Sequence, residues 1–106
     1  MENEDSYILI SLLLISKGSP LNNSFKLMQF IEWRLKIIDS KYILDKIKRE
    51  SYVNCMVLNG VEFFSLTKIG EDFISQKYDN AKNFLFKNYP NEQEILTVLF
   101  IKDNSK

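Results

Sequence analysis

Apolar residues fill nearly every position from Tyr7 to Ile15, and this run predicts a buried helix over residues 6–16. Composition alone also permits a strand here, but the elements that follow favour a helix. Gly18 comes shortly after the run, at a position where glycine commonly follows the end of a helix. The chain is therefore expected to begin with a helix that has no polar side.

A second helix is predicted where apolar residues recur three or four positions apart. Asn23 or Ser24 can cap it, and it reaches about Leu35. Its apolar face consists of Leu27, Met28, Ile31 and Leu35. Trp33 is expected in or near the core.

A third helix is predicted from a cap at Asp39 or Ser40 to about Glu50. Its buried stripe consists of Ile43, Leu44 and Ile47. Each residue turns the helix by about 100°, so the polar residues lie on the opposite side. These residues are Lys41, Tyr42, Asp45 and Arg49, with Lys48 beside them.

The pair Asn59-Gly60 separates two short apolar runs and predicts a β-hairpin, because a type I′ turn needs positive φ at both central residues. Leu58 then pairs with Val61, and the register places alternate residues on opposite faces. The face expected to cover the core carries Val53, Cys55, Val57, Phe64 and Leu66. The opposite face carries Tyr52, Asn54, Met56, Leu58, Val61, Phe63 and Ser65.

Two helices are predicted after the hairpin. Thr67 is placed to cap a long one, which ends before Pro90. Asn91 and Glu94 have the spacing of a capping box for a last helix through Ile101. This last segment is also compatible with a strand, and the helix is favoured.

This order of elements resembles a winged helix-turn-helix domain of the MarR- and PadR-like regulators. The local match is an aromatic-x-Leu-Thr-x-x-Gly stretch at Phe64–Gly70, and the resemblance extends over about residues 8–74. It implies a mostly α fold with a small β-hairpin wing (α+β) and a C-terminal helical extension. The expected organisation is a single domain over residues 1–106, with its core at about residues 6–75 and its C-terminal helices at about residues 68–101.

The resemblance implies a DNA-binding transcriptional regulator whose third helix enters the major groove of double-stranded DNA. The residues that would contact DNA are Lys41, Tyr42, Asp45, Lys46, Lys48 and Arg49. Arg and Lys can donate to guanine or phosphate, and Asp can accept from cytosine. The alternative is that Lys41, Asp45 and Arg49 form a self-neutralising ladder on a solvated helix.

The predicted wing departs from this pattern, because Glu62 is its only charged residue. Its outward face offers an apolar set instead: Met56, Leu58, Val61 and Phe63. Such a set can pack within the protein, on a second subunit or on another protein. The second hypothesis is therefore a winged-helix protein–protein interaction module that does not bind DNA.

An apolar stripe on the long C-terminal helix can pack on the first helix or form a homodimer. The homodimer is favoured, since DNA half-sites require two-fold symmetry. The members of this stripe proposed for the interface are Tyr78, Phe84 and Leu85.

Composition narrows the functions that the chain can have. The chain has 106 residues, no histidine and a net charge of zero, so it lacks an obvious general base and the usual histidine-containing metal sites. We expect neither catalysis nor a metal or cofactor. The single cysteine, Cys55, excludes an intramolecular disulfide and is expected to be a small buried residue. The run from Tyr7 to Ile15 is too short to span a membrane and follows an acidic flank, so we expect a cytoplasmic protein.

Overall fold

Helix α1, Glu4–Ser16, lies at the centre of the fold in the computed structural model, which describes residues 2–101. Every residue from Ser6 to Ile15 is buried, as expected for a helix that is apolar on all sides. Ser11 is accommodated because its hydroxyl donates to the carbonyl of Tyr7 at 2.9 Å. The first predicted helix is confirmed, and neighbouring elements cover it from several directions.

Helix α2, Ser24–Gln29, continues into a π-helical turn, Phe30–Arg34. The predicted cap is confirmed, because the Asn23 side chain accepts from the backbone N–H of Lys26 at 2.9 Å. Leu27, Ile31 and Leu35 are buried, as their spacing of four predicts. Trp33 is 66% exposed, so its predicted place in or near the core is wrong. It lies two residues from the buried Ile31, about half a turn away on the helical backbone, and therefore points away from the core.

Helix α3, Ser40–Arg49, has the predicted bounds and the predicted buried stripe of Ile43, Leu44 and Ile47. A hairpin follows, with strands β1, Val53–Leu58, and β2, Val61–Leu66. The predicted register is confirmed, because Leu58 pairs with Val61 and Val53 with Leu66. Asn59 and Gly60 have φ of 52° and 79°, as a type I′ turn requires.

The link between α1 and α2 runs beside β2 on the side away from β1. Asn22 accepts from the N–H of Phe64 at 2.8 Å, and its side-chain amide donates to the Phe64 carbonyl at 3.3 Å. Asn23 and Phe63 form an isolated antiparallel bridge. The hairpin therefore has a covered edge at β2 and an open edge at β1.

The hairpin covers the core in the half next to the helices, mainly through β2. Val53 and Phe64 are buried there, as predicted, and Leu66 is half-buried. Cys55 and Val57 are exposed, so their predicted burial is wrong. Cys55 is opposite the buried Phe64 but lies on β1, the strand at the open edge, and Val57 lies nearer the turn. Alternation therefore gives the side that these residues face but not what lies beneath it.

Helix α4, Lys68–Asn88, begins where β2 ends and packs along α1. The predicted cap is confirmed, because Thr67 Oγ1 accepts from the N–H of Gly70 at 3.1 Å. The same hydroxyl donates to the Ser51 carbonyl at 2.6 Å, which ties the cap to the turn before β1. The start of α4 is thereby joined both to the turn that precedes β1 and to the end of β2.

Helix α5, Gln93–Leu99, follows a short 3₁₀ turn, Pro90–Glu92. Helix rather than strand is confirmed for this segment. The predicted capping box of Asn91 and Glu94 is wrong, because the 3₁₀ turn moves the helix start and no side chain caps it. Among residues 2–101, no helix has both the length and the apolarity needed to cross a membrane.

The mostly helical fold with one two-stranded hairpin agrees with the α+β class predicted from the pattern. Side chains from every one of these helices and both strands contribute to, or pack against, one buried apolar cluster.

Replacing Gly70 by alanine is expected to destabilise the fold by about 3 kcal/mol, because backbone must move to accommodate the new methyl group. A Cβ at this position would lie 2.2 Å from the carbonyl oxygen of Tyr52. Gly60→Ala is the matched control: it has positive φ but nothing within 4 Å. We expect it to cost only about 1 kcal/mol. Urea unfolding measures both, and equal costs would contradict the steric explanation.

Candidate interaction surface on helix α3 and the hairpin

The outward side of α3 carries Lys41 and Arg49, both exposed, with Asp45 partly exposed between them. Lys41 Nζ lies 3.1 Å from a carboxylate oxygen of Asp45, one helical turn away. Such surface pairs contribute about 0.3–0.5 kcal/mol, so either partner can still be attracted to another group. The self-neutralising arrangement considered from the sequence is thus present between Lys41 and Asp45.

Tyr42 and Lys46 contact the N-terminus of α1. The Tyr42 hydroxyl donates to one oxygen of Glu4 at 2.6 Å, and Lys46 Nζ lies 3.2 Å from the other oxygen. The hydrogen bond from Tyr42 lowers the pKa of the Glu4 carboxyl, burial opposes this, and Lys46 lowers it further. The same hydrogen bond raises the pKa of Tyr42. Tyr42 and Lys46, two of the six residues predicted to contact DNA, are therefore held beside a carboxylate of their own chain.

Lys48 connects α3 to the hairpin. Its Nζ lies 3.0 Å from a carboxylate oxygen of Glu62, the one charged residue of the two strands. The Cys55 thiol donates to the same carboxylate at 3.4 Å. Lys48 is the main cause of the lowered pKa of Glu62, while burial and then the Glu62 carboxylate raise the pKa of Cys55.

Formal charges on this surface cancel. The four bases of α3 face three acids of the same helix-hairpin segment and Glu4 of α1. Arg49 is the base of α3 that forms no ion pair with any of residues 2–101. The bases are Lys41, Lys46, Lys48 and Arg49, and the acids are Glu4, Asp45, Glu50 and Glu62.

The tip of the hairpin is apolar and exposed. Met56 and Val57 are each 60% exposed and Leu58 is 54% exposed. Val61 and Phe63, which were assigned to the same outward face as Met56 and Leu58, are half-buried. We define the apolar tip as Met56, Val57 and Leu58. It occupies both faces of β1, since consecutive side chains alternate.

The residues proposed for a C-terminal interface contact their own chain. Leu85 is 0% exposed and offers no surface to a partner. Phe84 packs edge-to-face on Tyr7, with ring centroids 5.8 Å apart. The Tyr78 hydroxyl donates to the carbonyl of Phe100 at the end of α5. These three side chains join α4 to α1 and to the C-terminal segment.

Two features of this surface were not found from the sequence. Glu4 is far from α3 along the chain, and no spacing in the sequence predicts that contact. Val57 was assigned to the covered face by alternation alone. A useful signal was available in the strand length, because Val57 lies four residues beyond Val53, the inward residue at the hairpin base.

No protein-family model matches the chain, and comparison with curated proteins and with solved structures gives no significant match. Among residues 2–101, no group of three or more His, Cys, Asp or Glu side chains is placed to hold a metal ion. The function is therefore inferred from the geometry of α3 and the hairpin.

The contact between Glu62 and Lys48 is expected to make stability depend on pH. The folded-state pKa of Glu62 lies below its ordinary value of 4.5, so the contribution is present above pH 4.5 and is lost as the pH falls through the lowered pKa. Glu62→Gln should cost up to about 1 kcal/mol at pH 7, and this cost should shrink as the pH falls towards 3.

Urea unfolding of the wild type and of Glu62→Gln between pH 3 and pH 7 measures this difference. Asp79→Asn is a suitable control, because Asp79 is exposed, lies in the middle of α4 and forms no ion pair with the residues described. A difference between wild type and Glu62→Gln that stays constant over this pH range would contradict the assignment.

Proposed function

We propose that this chain is a winged-helix protein–protein interaction module that uses the apolar tip of its hairpin. The winged-helix assignment is supported by three helices followed by a hairpin whose second strand also pairs with the link between α1 and α2. It is further supported by the Thr67 cap, which attaches α4 directly to the end of β2. In this arrangement α3 and the hairpin are the elements available to a partner.

The observation that carries the proposal is the chemistry of the hairpin. Met56, Val57 and Leu58 expose most of their side-chain surface at its tip, while Glu62 is paired with Lys48. A wing that contacts phosphate needs cations, and this one has none. Exposed apolar side chains grouped on one projecting element are typical of a surface that another protein covers.

DNA binding is the second candidate, favoured by Lys41 and Arg49 on the outward side of α3. In this candidate α3 lies in the major groove, and the predicted set of contacts is completed by Tyr42, Asp45, Lys46 and Lys48. Phosphate would have to replace the carboxylates of Asp45, Glu4 and Glu62 as the partner of the lysines. The zero formal charge of the surface gives little long-range attraction for this exchange.

A salt titration with random-sequence duplex DNA distinguishes the two candidates. We expect binding weaker than about 10⁻⁴ M even at low salt, because few phosphates can be neutralised. The double variant Asp45→Asn with Glu62→Gln removes the carboxylates that pair with Lys41 and Lys48, and it thereby releases both lysines. The control is the double variant Glu71→Gln with Asp79→Asn, which changes the net charge by the same amount but on α4. Fluorescence anisotropy measures the affinity of all three proteins.

Wild-type binding that falls steeply with salt would overturn the protein-contact proposal. If α3 is a DNA-reading helix, the released variant should gain affinity and steepen the logarithmic salt slope by about 0.9 for each added phosphate contact. The α4 control should gain less. No binding by any of the three proteins supports the protein-contact proposal.

The apolar tip is expected to contribute little to folding. Met56→Ser and Leu58→Ser should each change the free energy of unfolding by less than about 0.5 kcal/mol, because both side chains are exposed. Phe64→Ala, at the buried base of the same hairpin, should cost about 3–5 kcal/mol. Chemical denaturation measures all three. A large loss in the tip variants would show that the tip serves the fold rather than a partner.

A further inference from the structure

The outer edge of β1 presents unpaired backbone groups. The N–H of Phe64 donates to Asn22, so the backbone groups of Phe64 point away from β1. Cys55 is opposite Phe64, and in an antiparallel pair the backbone groups of such a residue also point away from the partner strand. The same alternation applies to Val53 and Val57. None of these three forms a backbone hydrogen bond with a described residue outside the hairpin.

This edge lacks the features that usually prevent strand pairing. Natural edge strands carry a charge, a proline or a bulge that discourages another strand. The six residues of β1 include no charge and no proline, and the register with β2 is unbroken from Val53 to Leu58. The apolar tip continues along this strand, and its residues from Asn54 to Leu58 are exposed, while Val53 is buried.

The edge is also complementary to itself. Val53 and Val57 lie at equal distances from Cys55 along the strand. An antiparallel arrangement of two copies about Cys55 places Val53 of one copy opposite Val57 of the other, so that their outward backbone groups face each other. A charged strand would repel its own copy, and β1 carries no charge.

We propose that the hairpin binds a second copy of this chain, by antiparallel pairing of β1 with β1 about a two-fold axis at Cys55. The proposal rests on the protein-contact function, and it names the partner for that surface. Pairing joins the two hairpins into one four-stranded sheet and covers Val57 on each copy. Contact through one strand is smaller than a standard interface of about 1,600 Å², so the dimer is weak and depends on concentration.

Sedimentation velocity measured at protein concentrations that differ by about a hundredfold tests the dimer. The dimer fraction of a weakly associating protein rises strongly over such a range. Val57→Pro is the decisive variant. It removes an outward N–H and places a ring on the edge, and the hairpin keeps its own hydrogen bonds. Val57→Thr is the matched control, because it keeps the N–H and the β-branched shape.

The wild type and Val57→Thr should dimerise with increasing concentration, and Val57→Pro should dimerise at least about tenfold more weakly. A wild type that stays monomeric throughout overturns the proposal. Equal dimerisation of Val57→Pro and the wild type also overturns it, because the contact then lies elsewhere.

Oxidative cross-linking at Cys55 provides a measurement on the unaltered chain. Directly opposed residues whose backbone groups bond each other lie about 5.5 Å apart at Cα, within the range of a disulfide. The control is Leu58→Cys in a Cys55→Ser background, since the two copies of residue 58 lie on opposite sides of the two-fold axis, about 20 Å apart along the strands. We expect rapid cross-linking of Cys55 and slow cross-linking of the control.

Each rate is divided by the rate at which the same thiol reacts with a small disulfide reagent, because the raised pKa of Cys55 slows its own reaction. Equal corrected rates at both positions would indicate random collision and overturn the two-fold arrangement, even if Val57→Pro does not fold. The proposed function fails separately. Salt-dependent DNA binding overturns the protein-contact function, whereas a monomer that binds no DNA overturns only the self-association.

Discussion

The burial of α1 on all its sides is the constraint on which the rest of the structure depends. A helix with one apolar face needs one neighbour, but the uninterrupted burial from Ser6 to Ile15 requires neighbours all around it. Helix α4 packs along α1, and α3, α5 and β2 also contact it. The last third of the chain is consequently part of the same core as the first. Tyr89 reinforces this closure, because its hydroxyl donates to the Leu35 carbonyl and accepts from Tyr7, both at 2.8 Å.

The need to bury the apolar surface of α1 explains why the C-terminal helices pack where they do. An apolar stripe on a helix of 21 residues can serve a dimer or the chain's own core, and the stripe looks the same in either case. Here α1 leaves so much apolar surface to be covered that Phe73, Ala81 and Leu85 are all buried within the chain. The hairpin, by contrast, is needed only at its base. Its tip extends past the helices, and the exposed apolar side chains are found there.

The electrostatics of α3 follow from the same arrangement. Since α1 is central, its acidic N-terminus lies beside α3, and Glu4 contacts both Tyr42 and Lys46. The hairpin returns along the other side and brings Glu62 to Lys48. A helix with four bases thus loses its net attraction for phosphate through Glu4 and Glu62 from other elements, Asp45 of its own and Glu50 directly after its end. This balance underlies our preference for protein contact over DNA binding.

The sequence predicted the middle helices, the hairpin register, the Thr67 cap and the buried stripe of α3, because periodicity, turns and caps act between residues close in the chain. It offered Asn23 or Ser24 as the cap of α2, and it favoured helix over strand for the first and last segments. It did not determine the exposure of Trp33, Cys55 and Val57 or the 3₁₀ turn before α5. Alternation states which side a residue faces, and only the packed structure decides whether anything lies on that side. Local sequence patterns also do not predict the contacts of Glu4 with α3 or the open edge of β1. Both depend on where distant segments meet, and that is set by how the whole chain covers α1.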